Sequence, residues 1–320
     1  MVTEIKLGVS SCLLGEHVRY DGGHKHDHYI TDILGQYFTF ISVCPEVGCG
    51  LPTPRESMRL EGDPANPRLI TGKSRIDKTD QMLVFCSNKT VELENEDLCG
   101  FIFKKDSPSS GLYRVKVYNN GVAIKNGSGL FAAAVARKFP LLPMEEEGRL
   151  NDMPIRENFI ERVFSYRRWK DFLTGSPAVG KLVEFHTRHK LLMMAHSPLI
   201  YREMGALVAH GKDLTTSELL GRYEGLFMKG LSLHATTNKN TNVLQHIMGY
   251  FKKHLSHEEK SEMIELIEQY HAGILPLIVP ITILKHYINK YDQEYLKNQI
   301  YLSPHPAQLM LRNHVDLTTP

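Results

Sequence analysis

At 320 residues the chain has room for about two domains of ordinary size. Its 42% apolar and 23% charged side chains are those of a soluble globular protein, and no apolar run approaches the ~20 residues that cross a bilayer, which excludes a membrane-spanning class. A net charge of +2 is too small to argue by itself for a nucleic-acid partner, although the chain beyond residue 152 is mildly basic and the first half mildly acidic. The first residues enter a strand at once, so no signal peptide is expected and the expected location is cytoplasmic.

In chain order, residues 5–10 form a short apolar strand that ends in Ser10-Ser11-Cys12-Leu13-Leu14-Gly15, followed by a loop through Tyr20-Asp21-Gly22-Gly23-His24. Residues 27–38 have apolar side chains at helical spacing and lead into the run 38–43, which has the β-branched content of a buried strand; together they make a βαβ crossover. That strand opens into Cys44-Pro45-Glu46-Val47-Gly48-Cys49-Gly50-Leu51-Pro52-Thr53-Pro54-Arg55, where prolines and glycines stop any regular element. Residues 58–71 read as a hairpin or excursion, 76–98 as an interrupted helix, and 99–104 as a third strand that opens into Ser107-Pro108-Ser109-Ser110-Gly111. A helix over 130–139 starts at Gly127-Ser128-Gly129, residues 140–144 supply a last strand, and Glu145-Glu146-Glu147-Gly148 reads as a solvated linker.

Beyond Pro154 the pattern is helical: 157–173, 178–196, 217–233, 242–254, 257–271 and 276–291 each carry apolar residues three and four apart. Ser256, with Glu259 three residues on, reads as a capping box. The expected architecture is an α/β domain over 1–152, a parallel sheet with Rossmann-like layering, followed by an all-helical domain over 153–320.

All five cysteines (Cys12, Cys44, Cys49, Cys86, Cys99) lie in the first hundred residues, whereas twelve of the sixteen histidines lie beyond residue 155. An odd number of thiols in a reducing compartment argues against a disulfide framework and leaves metal binding, catalysis or plain burial. Proline and glycine alone would equally mark a connector. The recurrence of strand, then thiol or hydroxyl, then glycine, at three strand ends argues for a site, because in an open parallel sheet those ends share one edge. Ligands distant in sequence can converge there, as an iron-sulfur cluster or another thiolate metal site requires. Cys86, among apolar neighbours on a helix-like segment, reads as a core thiol, and Cys99 lies at the far end of its strand. His186, His189 and His196 admit three readings: metal ligands, part of a basic and aromatic face for a phosphate-bearing partner continued by Asn238, Asn242, His246 and Lys252, or structural hydrogen bonding.

The motifs Ser11-Cys12-Leu13-Leu14-Gly15, Arg19-Tyr20-Asp21-Gly22, Cys44-Pro45-Glu46, Gly50-Leu51-Pro52-Thr53-Pro54-Arg55 and Ser107-Pro108-Ser109-Ser110-Gly111 resemble, in order, those of the thiouracil desulfurase family, TudS. The later half is similar to the YbgA family of helical domains through His186-Thr187-Arg188-His189-Lys190-Leu191, Ala195-His196-Ser197, Thr241-Asn242-Val243-Leu244, Gly249-Tyr250-Phe251 and Lys285-His286-Tyr287. The first resemblance implies a [4Fe-4S] cluster on three thiolates with one open iron. That iron acts as a Lewis acid in non-redox, hydrolytic removal of sulfur from a thiolated uracil, free, in a nucleoside or in tRNA. Carried onto this chain, the resemblance puts ligands on Cys12 and Cys44, the proton-moving carboxylate on Glu46 and a substrate-positioning hydroxyl on Ser107. Where the family reads Ser-Pro-Ser-Cys-Gly this chain has Ser110, a harder donor than a thiolate, and Cys49 is the expected substitute ligand. The alternative is a decayed site in a binding or regulatory protein that acts through its helical domain on nucleic acid or a protein.

Overall fold

The computed structural model describes residues 4–175 and 177–315. The chain divides into two compact units, Met1–Asn151 and Asp152–Pro320.

In the first unit, strands β1 (Lys6–Ser10), β2 (Thr39–Val43), β5 (Leu98–Phe103) and β8 (Met144–Glu146) form a wholly parallel sheet in the order β2-β1-β5-β8. From β1 the chain goes first to one side, to β2, and later to the other, to β5. The crevice between the carboxyl ends of β1 and β5 is therefore a topological switch point, where open α/β sheets bind ligands. The β1–β2 crossover is present but irregular, a π turn (Tyr29–Ile33) running into a 3-10 turn (Leu34–Gln36). β2 is an edge strand with Thr39 and Ser42 exposed, not the buried strand its composition predicts, whereas every residue of β5 is buried.

The helices α1 (Pro45–Gly48), α2 (Thr79–Glu94) and α3 (Leu130–Lys138) complete this layer. Phe101 and Phe103 of β5 stack at 4.1 Å, and Phe131 of α3 meets Phe101 edge-on at 5.9 Å. Gly8 makes this core possible: a Cβ there would lie 2.2 Å from the Phe101 ring. A second, mixed sheet, in the order β4-β3-β6-β7, joins β3 (Met58–Glu61), β4 (Arg68–Thr71), β6 (Val115–Asn119) and β7 (Val122–Gly127). The β3–β4 hairpin matches the expected excursion, and β6–β7 turns at Asn120 and Gly121, both at positive φ, the residue pair that a tight hairpin turn favours.

The carboxylates 145–147 do not form a solvated linker. Glu145 and Glu146 are buried in edge strand β8, where Glu146 accepts from the amides of Leu112 (2.8 Å) and Tyr113 (3.1 Å). Arg149 donates to Glu145 at 2.8 Å, and Lys104 pairs with Glu147. Partners from three other segments compensate charges that would otherwise be too costly to bury.

The second unit is helical: α4 (Met153–Thr174), α5 (Val179–His196), α6 (Pro198–Ala209), α7 (Thr216–Leu231), α8 (Thr237–Met248), α9 (His257–His271), α10 (Ile278–Lys290) and the short α11 (Glu294–Lys297). Trp169 anchors its core, ringed by Phe172, Phe185 and Tyr223 at 5.1–5.4 Å. Asp152 and Ser197 cap α4 and α6, and full capping boxes at Thr215/Glu218 and Ser256/Glu259 start α7 and α9. Helix α6 has no counterpart among the helices expected from periodicity. No helix among the described residues is long and apolar enough to cross a membrane.

Candidate functional site

The carboxyl ends of β1, β2 and β5 surround a cavity of about 390 Å³ lined by Cys12, Arg19, Cys44, Glu46, Arg55, Lys104 and residues 107–110. Each strand end is tied in place. Ser10 Oγ accepts from the Lys104 amide at 2.9 Å, which locks the tips of β1 and β5 together, and Ser11 Oγ lies 2.6 Å from Ser42 Oγ of β2. Beyond Ser10 the chain makes a 3-10 turn (Ser11–Leu14) that closes on Gly15 at positive φ. Cys12 thereby comes to face the crevice.

Cys44 caps the single turn of α1, with Pro45 at its first position and Glu46 after it. Gly48 seats this turn against α2, since a Cβ there would lie 2.3 Å from the Phe85 ring. The 107–111 loop is held from two sides. Ser107 Oγ accepts from the amides of Ser109 (3.3 Å) and Ser110 (3.1 Å), and the amides of Leu130 and Phe131 at the start of α3 bond Pro108 O and Ser109 O at 3.2 and 2.9 Å. Gly129 must lack a side chain, because a Cβ would fall 2.5 Å from the Ser109 carbonyl.

Glu46 is fixed at both oxygens. Ser109 Oγ donates to Oε1 at 2.8 Å, and Arg55 Nε donates to Oε2 at 2.9 Å, with a second Arg55 nitrogen on the same oxygen. The guanidinium is itself held by the Val18 carbonyl at 2.9 Å and the Pro52 carbonyl at 3.2 Å. Ser107 Oγ lies 3.0 Å from Ser109 Oγ, so Ser107, Ser109 and Glu46 form one hydroxyl-to-carboxylate chain.

Burial pushes the Cys12 thiol up to about 11, against the pull of Lys104 and Arg19 and with the repulsion of Cys44. Cys44 is likewise raised, first by burial. As free thiols both are protonated near neutral pH, so a bound metal would displace their protons.

Of the residues expected from sequence, Cys12, Cys44, Glu46 and Ser107 line one cavity, and so does buried Ser110. Cys49 is not among the lining residues. Its sulfur lies 3.2 Å from the Glu46 carbonyl oxygen, and its own carbonyl accepts from Gln81 of α2 at 2.6 Å. The cavity lining thus includes Ser110 and not Cys49, the residue expected to supply a third thiolate. Cys86 and Cys99 are buried in the core. Ser109 and Lys104 carry site geometry that motif reading did not single out; the hydroxyl run 107–110 was the available signal.

His186, His189 and His196 are buried and bonded inward, to the Tyr223 hydroxyl (3.3 Å), the Phe185 carbonyl (2.7 Å), and the Leu233 carbonyl with Glu161 (2.6 Å each). They do not form a surface face.

Two thiols and a hydroxyl after three separate strand ends thus meet at the switch point of a parallel sheet, beside a fixed carboxylate, in an α/β unit joined to a helical one. The family model 2-thiouracil desulfurase matches residues 7–147, and a protein of unknown function model, DUF1722, matches 190–306. The uncharacterized protein YbgA of Escherichia coli is 34% identical over 138 residues, 42% of this chain and 80% of that protein. The uncharacterized protein YbbK of Bacillus subtilis is 27% identical over 151 residues, 45% of this chain and 97% of that protein. A solved structure, the [4Fe-4S]-dependent thiouracil desulfidase TudS, is 30% identical with a TM-score of 0.39, over 47% of this chain and 95% of that one. The chain belongs to the YbgA-like family through its helical unit and carries a 2-thiouracil desulfurase family domain at its N-terminus.

Proposed function

We propose that the N-terminal unit removes sulfur from a thiolated uracil by hydrolysis without net redox change. The observation that carries this reading is the convergence of Cys12, Cys44, Ser110 and the Ser107–Ser109–Glu46 chain on one cavity. A [4Fe-4S] cluster fits the donor set with sulfur at Cys12 and Cys44 and oxygen at Ser110. When bound, it supplies an electron-poor iron that polarises the carbon-sulfur bond.

The chain's own residues supply the rest. Glu46 Oε1 takes a proton from the attacking water, directly or through Ser109, and Arg55 keeps the carboxylate aimed while it waits. Ser107 Oγ, at the head of the hydroxyl chain, orients the base. Sulfur leaves as hydrosulfide and the water oxygen replaces it, so the sum is thiouracil and water to uracil and hydrogen sulfide. Arg19, Lys25, Lys104 and Lys105 around the opening outnumber the acidic groups there and favour a phosphate-bearing form of the base, a thiolated uridine in tRNA, over the free base. In the test, protein reconstituted anaerobically is assayed for iron, acid-labile sulfide and release of sulfide from 2-thiouracil and thiolated tRNA; a colourless, iron-free product sinks the reading.

Ser110 favours a second reading: a binding protein whose cluster site has decayed. Iron-free natural protein that gains iron and activity in Ser110→Cys would support it.

A further inference from the structure

We propose that the helical unit holds a divalent first-row transition metal ion on Glu157, Glu161 and His305. This site is independent of the thiol site and of the reaction read from it. One ligand atom from each of the three side chains lies within 4.8 Å of the others. Glu157 and Glu161 stand one turn apart on the same face of α4, and His305 comes from the chain after α11.

The histidine points to a cation. Its Nδ1 lies 3.3 Å from the Pro306 carbonyl oxygen, which can only accept, so Nδ1 carries the hydrogen and Nε2 presents a lone pair. Nε2 is buried without a partner among the described residues, beside two carboxylates. Three electron-pair donors this close are unfavourable unless a cation or a shared proton lies between them. A ring held by Nδ1–H on a backbone carbonyl, with Nε2 free, is also how metal-ligating histidines are oriented.

The positive groups near the cluster do not fill this place. Arg312 Nε lies 3.1 Å from Glu157 Oε1 and its Nη2 3.5 Å from Glu161 Oε2, long for charge-assisted bonds. His196 Nε2 bonds Glu161 Oε1 at 2.6 Å, His314 Nε2 is 3.8 Å from Glu157, and Arg168 is engaged with the Pro304 carbonyl. These contacts orient the carboxylates and leave lone pairs unused. A cavity of about 290 Å³ is lined by Glu157 and Glu161, though not by His305, and leaves room for further ligands on the carboxylate side. Buried Thr237 Oγ1, on the wall of that cavity, also lacks a partner among the described residues. Two carboxylates and one imidazole suit Mn²⁺, Fe²⁺ or Zn²⁺ rather than a soft ion.

The test titrates Mn²⁺, which binds thiolates poorly, into the full chain with Cys12→Ser and Cys44→Ser, and follows loss of the free-ion electron paramagnetic resonance signal. The expected result is one ion per chain with a histidine nitrogen coupling in the bound spectrum. Affinity should fall at least tenfold in Glu157→Gln and in His305→Phe, and persist when the exposed His26, His28 and Asp32 are replaced by alanine. No saturable binding, a bound ion without nitrogen coupling, or binding lost only with His26, His28 and Asp32 would overturn the proposal; the first two are read on protein whose helical unit is unaltered.

Discussion

Ser109 Oγ donates to Glu46 Oε1 at 2.8 Å across 63 positions of sequence, joining the loop after β5 to the turn after β2. This bond unites the hydroxyl loop and the thiol loop in one site. It leaves Glu46 with one oxygen facing hydroxyls and the other facing Arg55.

Glu46→Gln keeps the shape of the side chain and removes its capacity to take a proton. The cluster content should be unchanged, while the rate of sulfide release falls about 10²–10⁴-fold. Steady-state rates normalised to iron check this, and a loss below tenfold would remove Glu46 from the mechanism.

Ser110→Cys places a soft thiolate at the third corner of the cavity. Iron should be lost more slowly from this variant than from the natural protein during incubation with a chelator, because iron prefers sulfur to a protonated hydroxyl. Equal rates would mean that the third corner is not at residue 110.

Gly129→Ala puts a methyl group 2.5 Å from the backbone of Ser109, which cannot yield as a side chain does. A loss of about 1–3 kcal/mol in stability and a disproportionate loss of activity are expected. Gly180→Ala, in the first turn of α5 and with no neighbouring atom within 4 Å, serves as the comparison without a clash and should raise stability by up to about 1 kcal/mol in chemical denaturation.

Burial holds His189 down at about 3 and His186 and His305 at about 4, from 6.5. Below pH 6.5 the unfolded chain takes protons that the folded helical unit refuses, so this stability is fully present above pH 6.5 and is lost as pH falls toward 4. Each group contributes a slope of up to about 1.4 kcal/mol per pH unit in that window. His189→Phe should reduce the slope by about that amount, read from denaturant unfolding followed at Trp169, the single tryptophan. An unchanged slope contradicts the assignment.

The parallel sheet and its reactive edge were legible because β1 and β5 are apolar runs that end abruptly in small polar residues, a pattern set by local chemistry. Burial of Glu146 was not, since the amides of Leu112 and Tyr113 that donate to its carboxylate are more than thirty positions away. Helix α6 escaped periodicity analysis although Ser197 and Pro198 are a cap and a first-position proline. The β6–β7 hairpin was not among the expected elements, although Asn120-Gly121 was an available turn signal. That Cys49 is absent from the cavity lining was not legible, since proximity in sequence to Cys44 says nothing about which side of a single helical turn a sulfur takes.

The most direct test is differential alkylation read by mass spectrometry, before and after anaerobic cluster reconstitution. Here Cys49, half-buried and outside the cavity, should react in both states, whereas Cys12 and Cys44 should be modified only in the cluster-free protein. Protection of Cys49 together with Cys44, or continued reactivity of Cys12 and Cys44 in protein that has taken up iron and sulfide, would contradict the site described above.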